Sequence, residues 1–229
     1  MFWQYFIGSL VFMIATYVAY LYFYKKHFIY LSETLYLNND AEKYLEDLEK
    51  FPSTIFFPKN LREMMKIDPY MMLNKDKELE DLFDSLNKVN KRLGDQYIVH
   101  QKEVTYYANK KNVEKVKESF EKMKDVRTKI KAKSPESYDN ALTEVEYIIA
   151  LLEKDGKYAK DLAKKGEEAG ETMIAGTYFY KAAQSYYYQN DEKNVRKHLE
   201  KALKFLKGTT YEELIKKMLN TNDFKDLDN

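Results

Sequence analysis

Met1 to Tyr24 carry no charged side chain. As a helix rising 1.5 Å per residue, such a stretch reaches across a hydrocarbon core of about 30 Å. Lys25, Lys26 and His27 follow at once. Trp3 and Tyr5 lie toward one end, and Tyr20, Tyr22 and Tyr24 toward the other, at the depths that amphipathic aromatics prefer. A cleaved signal peptide would place basic residues before the apolar run and a small-residue site after it. Here the basic residues come after the run and no A-x-A site follows. The expectation is an uncleaved anchor over residues 1–26, contacting the bilayer through 1–24 and held by Trp3, Tyr5, Tyr20, Tyr24, Lys25 and Lys26. The positive-inside rule then puts the remainder of this single-pass membrane chain in the cytoplasm. Gly8, Ala15 and Ala19 form a small-residue stripe that would let a second copy approach, although the same stripe is ordinary membrane composition.

Beyond the anchor, apolar residues recur at spacings of three and four, the period of amphipathic helices. Tyr30, Leu31, Leu35, Tyr44, Leu45 and Leu48 predict helix running to about Phe51. Phe51-Pro52 and Phe57-Pro58 interrupt it, and Ile55 to Leu73, rich in methionine, reads as irregular. Asp76 is the expected cap of the next helix, and Gly94 its end. Further helices follow from Asp95, among them one started by Ser134-Pro135-Glu136. Thr210-x-x-Glu213 predicts a capping box for a last helix, and Asn220 to Asn229 reads as a frayed tail. Four segments are expected: anchor 1–26, membrane-proximal helices 27–94, helical hairpins 95–209, and a capping helix with tail 210–229.

The hairpins repeat. Tyr107, Val116, Phe120 and Met123 recur as Tyr186, Val195, Leu199 and Ala202, with one hairpin between, giving units of about 39 residues. In the last unit, Phe179, Ala183 and Tyr186 are followed by the turn Gln189-Asn190-Asp191 and then by Val195, Leu199 and Ala202. This pattern resembles a tetratricopeptide repeat, though Val195 stands where that family has alanine and no proline closes the unit. The resemblance implies an all-α, TPR-like α-solenoid of antiparallel hairpins behind the transmembrane helix. It also implies a concave surface that grips segments of partner proteins.

That surface gives the run Tyr186-Tyr187-Tyr188 a meaning. Phe179, Ala182, Ala183 and Tyr186 share one helical face by spacing. Thr177, Tyr180, Gln184, Tyr187 and Tyr188 are left for the groove and are the expected protein-binding residues. Tyrosine suits such contacts, with large area and a polar tip. The competing reading has Tyr211 to Leu219 fold back over these tyrosines, as terminal helices cap solenoids.

Other chemistry is sparse. There is no cysteine, and the net charge of +1 provides no field for nucleic acid. Three scattered histidines, and no glycine-rich phosphate loop, HExxH or GxSxG, support neither an enzyme, a cofactor nor a metal site. His100-x-x-Glu103 reads as surface histidine, and Lys122 to Lys133 as a solvated face. The expected function is a membrane-anchored adaptor or assembly factor binding a protein partner. The alternative is an accessory or immunity-type protein using a private surface, such as the segment around Met64 and Met72.

Overall fold

A computed structural model describes residues 2–89, 92–131 and 135–228, with side chains from residue 6 onward. Every regular element among these residues is helical, and the chain divides into two compact units, Met1–Asp95 and Gln96–Asn229.

In the first unit, α1 (Phe2–Ser32) is long and apolar enough to cross a membrane, and none of its most apolar window is buried. It runs into a π-helical turn, Glu33–Leu37, and does not continue to Phe51. The break falls at Asn39, which takes a left-handed φ of 54°. Asp40 then caps α2 (Ala41–Leu48), its carboxylate accepting from the Lys43 backbone N–H at 3.0 Å. Asparagine tolerates the left-handed region better than most residues, so the Asn38-Asn39-Asp40 sequence turns the chain here. Leu31, Leu35, Ala41, Tyr44, Leu48 and Phe57 form one buried cluster in this unit.

The segment expected to be irregular is instead three short helices, α3 (Ser53–Phe56), α4 (Lys59–Met65) and α5 (Ile67–Met72). Prolines at 52 and 58 precede the first two, where a missing N–H removes no helical bond. Met65 packs against that cluster, while Met72 is exposed. Asp76 occupies the first turn of α6 (Asp76–Lys88) and is not its cap. Gly94 does not end that helix; it lies in the first turn of α7 (Leu93–Asn109).

The second unit contains most of α7, then α8 (Val113–Lys129), α9 (Glu136–Leu152), α10 (Ala159–Glu168), α11 (Met173–Tyr188), α12 (Glu192–Phe205) and α13 (Thr210–Thr221). Of the start signal for α9, Ser134 lies outside the described residues, and Pro135 takes the cap position. Helix α11 is the central element, packed against α10, α12 and the terminal 3-10 turn Lys225–Asp228. Phe179, Ala183 and Tyr186 meet Val195, Leu199 and Ala202 in one buried cluster. Asn190 at φ 57° and the Asp191 cap, accepting from the Asn194 N–H at 3.1 Å, make the tight turn between α11 and α12.

Glycines allow close approach in this unit. A Cβ on Gly166 would stand 2.7 Å from the Phe179 ring, so this residue lets α10 and α11 touch. The capping box of α13 is one residue earlier than Thr210-x-x-Glu213. Thr209 is the cap, and the Glu212 carboxylate accepts from the Gly208 N–H at 2.6 Å. Nor is the tail frayed: Phe224 and Leu227 are buried in the α11–α12 cluster.

Candidate functional site

The α11 face carries the residues singled out by sequence. Thr172 begins the helix, its hydroxyl accepting from the Ala175 N–H at 3.2 Å. One turn later Thr177 is exposed, its hydroxyl donating to the Met173 carbonyl. Tyr180 is only 9% exposed and meets Tyr211 of α13 edge-on, with ring centroids 4.9 Å apart. Tyr187 is half-buried against the α11–α12 core. Gln184 and Tyr188, one turn apart, both address the tail. The Gln184 side-chain amide donates to the Leu227 carbonyl at 3.0 Å, and the Tyr188 hydroxyl to the same oxygen at 3.4 Å.

Four of the five residues are thus wholly or partly covered, by α13 for Tyr180, the tail for Gln184 and Tyr188, and the hydrophobic cluster for Tyr187. The covering segment differs from the one sequence suggested. Tyr211 contributes, but the main-chain contact comes from the 3-10 turn Lys225–Asp228, beyond α13. A cavity of about 340 Å³ persists between them, lined by Thr177, Tyr180, Lys181, Gln184, Tyr211 and Asp226 among others.

Burial sets the chemistry of this face. It pushes the Tyr180 phenol up to about 12, with the neighbouring Tyr211 and Asp226 acting in the same direction. Tyr188 is raised for the same reason, with Asp228 next in effect. Both stay neutral near pH 7, and the Tyr188 hydroxyl acts as a hydrogen-bond donor. The tail is pinned by ion pairs, Lys217 to Asp226 at 2.9 Å and Lys154 to Asp228 at 2.7 Å. The arrangement can hold a main-chain carbonyl beside apolar side chains.

The other singled-out residues fall elsewhere. His100 is not a surface histidine. It is buried on α7, with Nδ1 2.8 Å from the equally buried Glu103 carboxylate. His100, Glu103, Val104 and Tyr107 share the buried helical face at spacings of three, four and seven. Among the described residues no group of three metal-ligating side chains gathers. The basic stretch from Lys122 pairs with local acids: Lys122 with Glu118, Lys124 with Glu121, Lys129 with Asp125, and Arg127 with Asp139 through two hydrogen bonds. Lys133 lies outside the described residues. Of the anchor residues, the side chains of Trp3 and Tyr5 are not described, Tyr20 and Tyr24 meet the Phe56 ring, and Lys25 and Lys26 are exposed.

Sequence reasoning missed Leu227 and Phe224, which sit at alternate turns of a short polar tail. Only the pair of apolar residues in Asp223-Phe224-Lys225-Asp226-Leu227 hinted at packing. Comparison with protein-family models, with curated proteins and with solved structures finds no match.

Proposed function

We propose that this chain is a single-pass membrane adaptor that holds a protein partner at the cytoplasmic surface through the α11 face, in a TPR-like manner. The observation that carries the reading is the shared grip of Gln184 and Tyr188 on the Leu227 carbonyl. A face that binds a short turn of its own chain by the main chain and two apolar side chains has the chemistry to bind a comparable segment of another. The uncovered apolar length of α1 and the two lysines at its end support the tether and its orientation. Tethering concentrates the partner at the bilayer, so a modest groove affinity suffices.

On this reading the tail is a placeholder that the partner displaces. The test is co-purification from native membranes in mild detergent, read by mass spectrometry. A variant with Gln184→Leu and Tyr188→Phe removes both donors while keeping volume and should lose the partner. A variant with Asp226→Asn and Asp228→Asn loosens the tail and should capture more. A partner held equally by the intact protein and both variants would move the site off α11.

A further inference from the structure

The apolar length of α1 has a companion at its charged end. Helix α3 folds back along α1, so that the Phe56 ring lies 5.6 Å from Tyr20, 6.3 Å from Tyr24 and 6.0 Å from His27. Phe57 packs 5.2 Å from Tyr24. The turn is pinned: Ser53, fully buried, donates to the Asp47 carbonyl at 2.6 Å and meets His27 Nε2 at 2.7 Å. Tyr20 precedes Lys25, the first charge, by more than one helical turn, about 7 Å along the axis. The turn therefore lies along the stretch of α1 from Tyr20 to Phe28, across the point where the uncharged run gives way to Lys25 and Lys26.

Its outer side carries two bare apolar side chains beside the exposed Thr54. Phe51 is 79% exposed and Ile55 64%. Large apolar side chains on a pinned turn, beside the change from uncharged to charged residues in α1, match the interfacial depth of a bilayer. Between the turn and α1 lies an open cleft of about 510 Å³, lined by Phe23, Lys26, His27, Tyr30, Phe51 and Phe56. Lys26 is the one cation on its wall and forms no ion pair among the described residues. An apolar trough with a single cation beside it is complementary to one alkyl chain and one phosphate.

We propose that residues 51–57 form a second membrane-seated element, and that the cleft takes an acyl chain of an anionic phospholipid with its phosphate at Lys26. The inference rests on reading α1 as a bilayer span, and the test separates the two.

Trp3 is the only native tryptophan and reports on the span. A Trp3→Phe, Phe51→Trp protein reports on the turn and disturbs no packing, since Phe51 is exposed. Both proteins are reconstituted in vesicles of phosphatidylcholine with a minority of phosphatidylglycerol. The phosphatidylcholine chains are brominated near either the ester end or the methyl end. The Phe51→Trp reporter should lose most of its emission to bromine near the ester end, little to bromine near the methyl end, and resist aqueous iodide. A reporter open to iodide and untouched by bromine, while Trp3 is quenched, overturns the proposal and leaves the span. A reporter shielded from both quenchers overturns it by showing that protein, a partner or second copy, covers the turn. If bromine reaches neither tryptophan, the span reading fails and takes the proposal with it. With bromine carried only on phosphatidylglycerol, the reporter should be quenched more than by equal bromine on phosphatidylcholine, and Lys26→Gln should abolish the excess. Equal quenching by both lipids overturns the assignment of an anionic headgroup.

Discussion

The imidazole of His198 lies flat on the ring of Tyr186, with centroids 5.2 Å apart and planes within 6°. Phe179 stacks near it as well, at 5.9 Å. His198 is buried, and its Nδ1 has no hydrogen-bond partner among the described residues. Burial, reinforced by Lys197 and Lys201 and opposed by Glu167 and Asp191, pushes its pKa from the ordinary 6.5 down to about 4. The unfolded chain therefore binds a proton near pH 6.5 that the folded chain refuses until about pH 4. The stability held by the neutral ring is complete above that window and is lost as pH falls through it, on the order of 3 kcal/mol in all. Urea unfolding of the full chain in detergent should show a lower midpoint at pH 5 than at pH 7. His198→Phe, which keeps the stack without the proton, should flatten that part of the slope.

Gly156 should tolerate no side chain. A Cβ there would stand 2.5 Å from both the Ser185 carbonyl oxygen and the Gln189 Cγ. The same residue's carbonyl accepts from the Ser185 hydroxyl at 2.9 Å and the Gln189 amide at 2.7 Å, so it has no room to retreat without losing both bonds. Gly156→Ala should cost about 2–3 kcal/mol through overpacking against backbone. Gly8→Ala, whose Cβ would meet nothing within 4 Å, should leave the unfolding midpoint unchanged.

Leu227 is fully buried although it lies near the end of the chain. Leu227→Ala should destabilise the second unit by about 2–4 kcal/mol. Asp228→Asn removes only an exposed ion pair with Lys154 and should cost less than about 1 kcal/mol. Denaturant midpoints separate the two, and amide exchange should show faster opening of Lys225–Asp228 in the leucine variant. Equal small effects would mean that the tail contributes no packing.

The uncovered α1 makes a direct prediction about fractionation. The full chain should stay with membranes through alkaline carbonate extraction, because about 20 apolar residues in hydrocarbon are not displaced by charge. A chain lacking residues 1–24 should be released, or retained weakly if residues 51–57 still touch lipid. Release of the full chain would end the single-pass reading.

Much of the local structure was legible. The charge-free start of α1, the three-and-four spacing of Leu79, Leu82, Phe83 and Leu86, and the buried positions Phe179, Ala183 and Tyr186 follow from backbone periods that any window of sequence displays. The starts of α6, α9 and α13 were legible to within a residue, whereas Gly94 did not end α6. The turn Gln189-Asn190-Asp191 is built from local partners, whereas the α13 box moved to Thr209, with Glu212 accepting from Gly208.

What only the tertiary structure decided is which face each helix shows to which neighbour. Tyr180, Gln184 and Tyr188 share an amphipathic face whose periodicity is the same whether solvent, a partner or the tail lies over it. The answer depends on Leu227, 43 positions from Gln184, and on whether its burial exceeds the entropy of ordering the tail. His100 shares the helical period of Val104 and Tyr107, but that period does not say how far the face is covered; the packing of α7 put it inside with Glu103. The period of a helix is written in neighbouring residues, but its partners are chosen by contacts distant in sequence, whose free energy exists only once the chain has closed on itself.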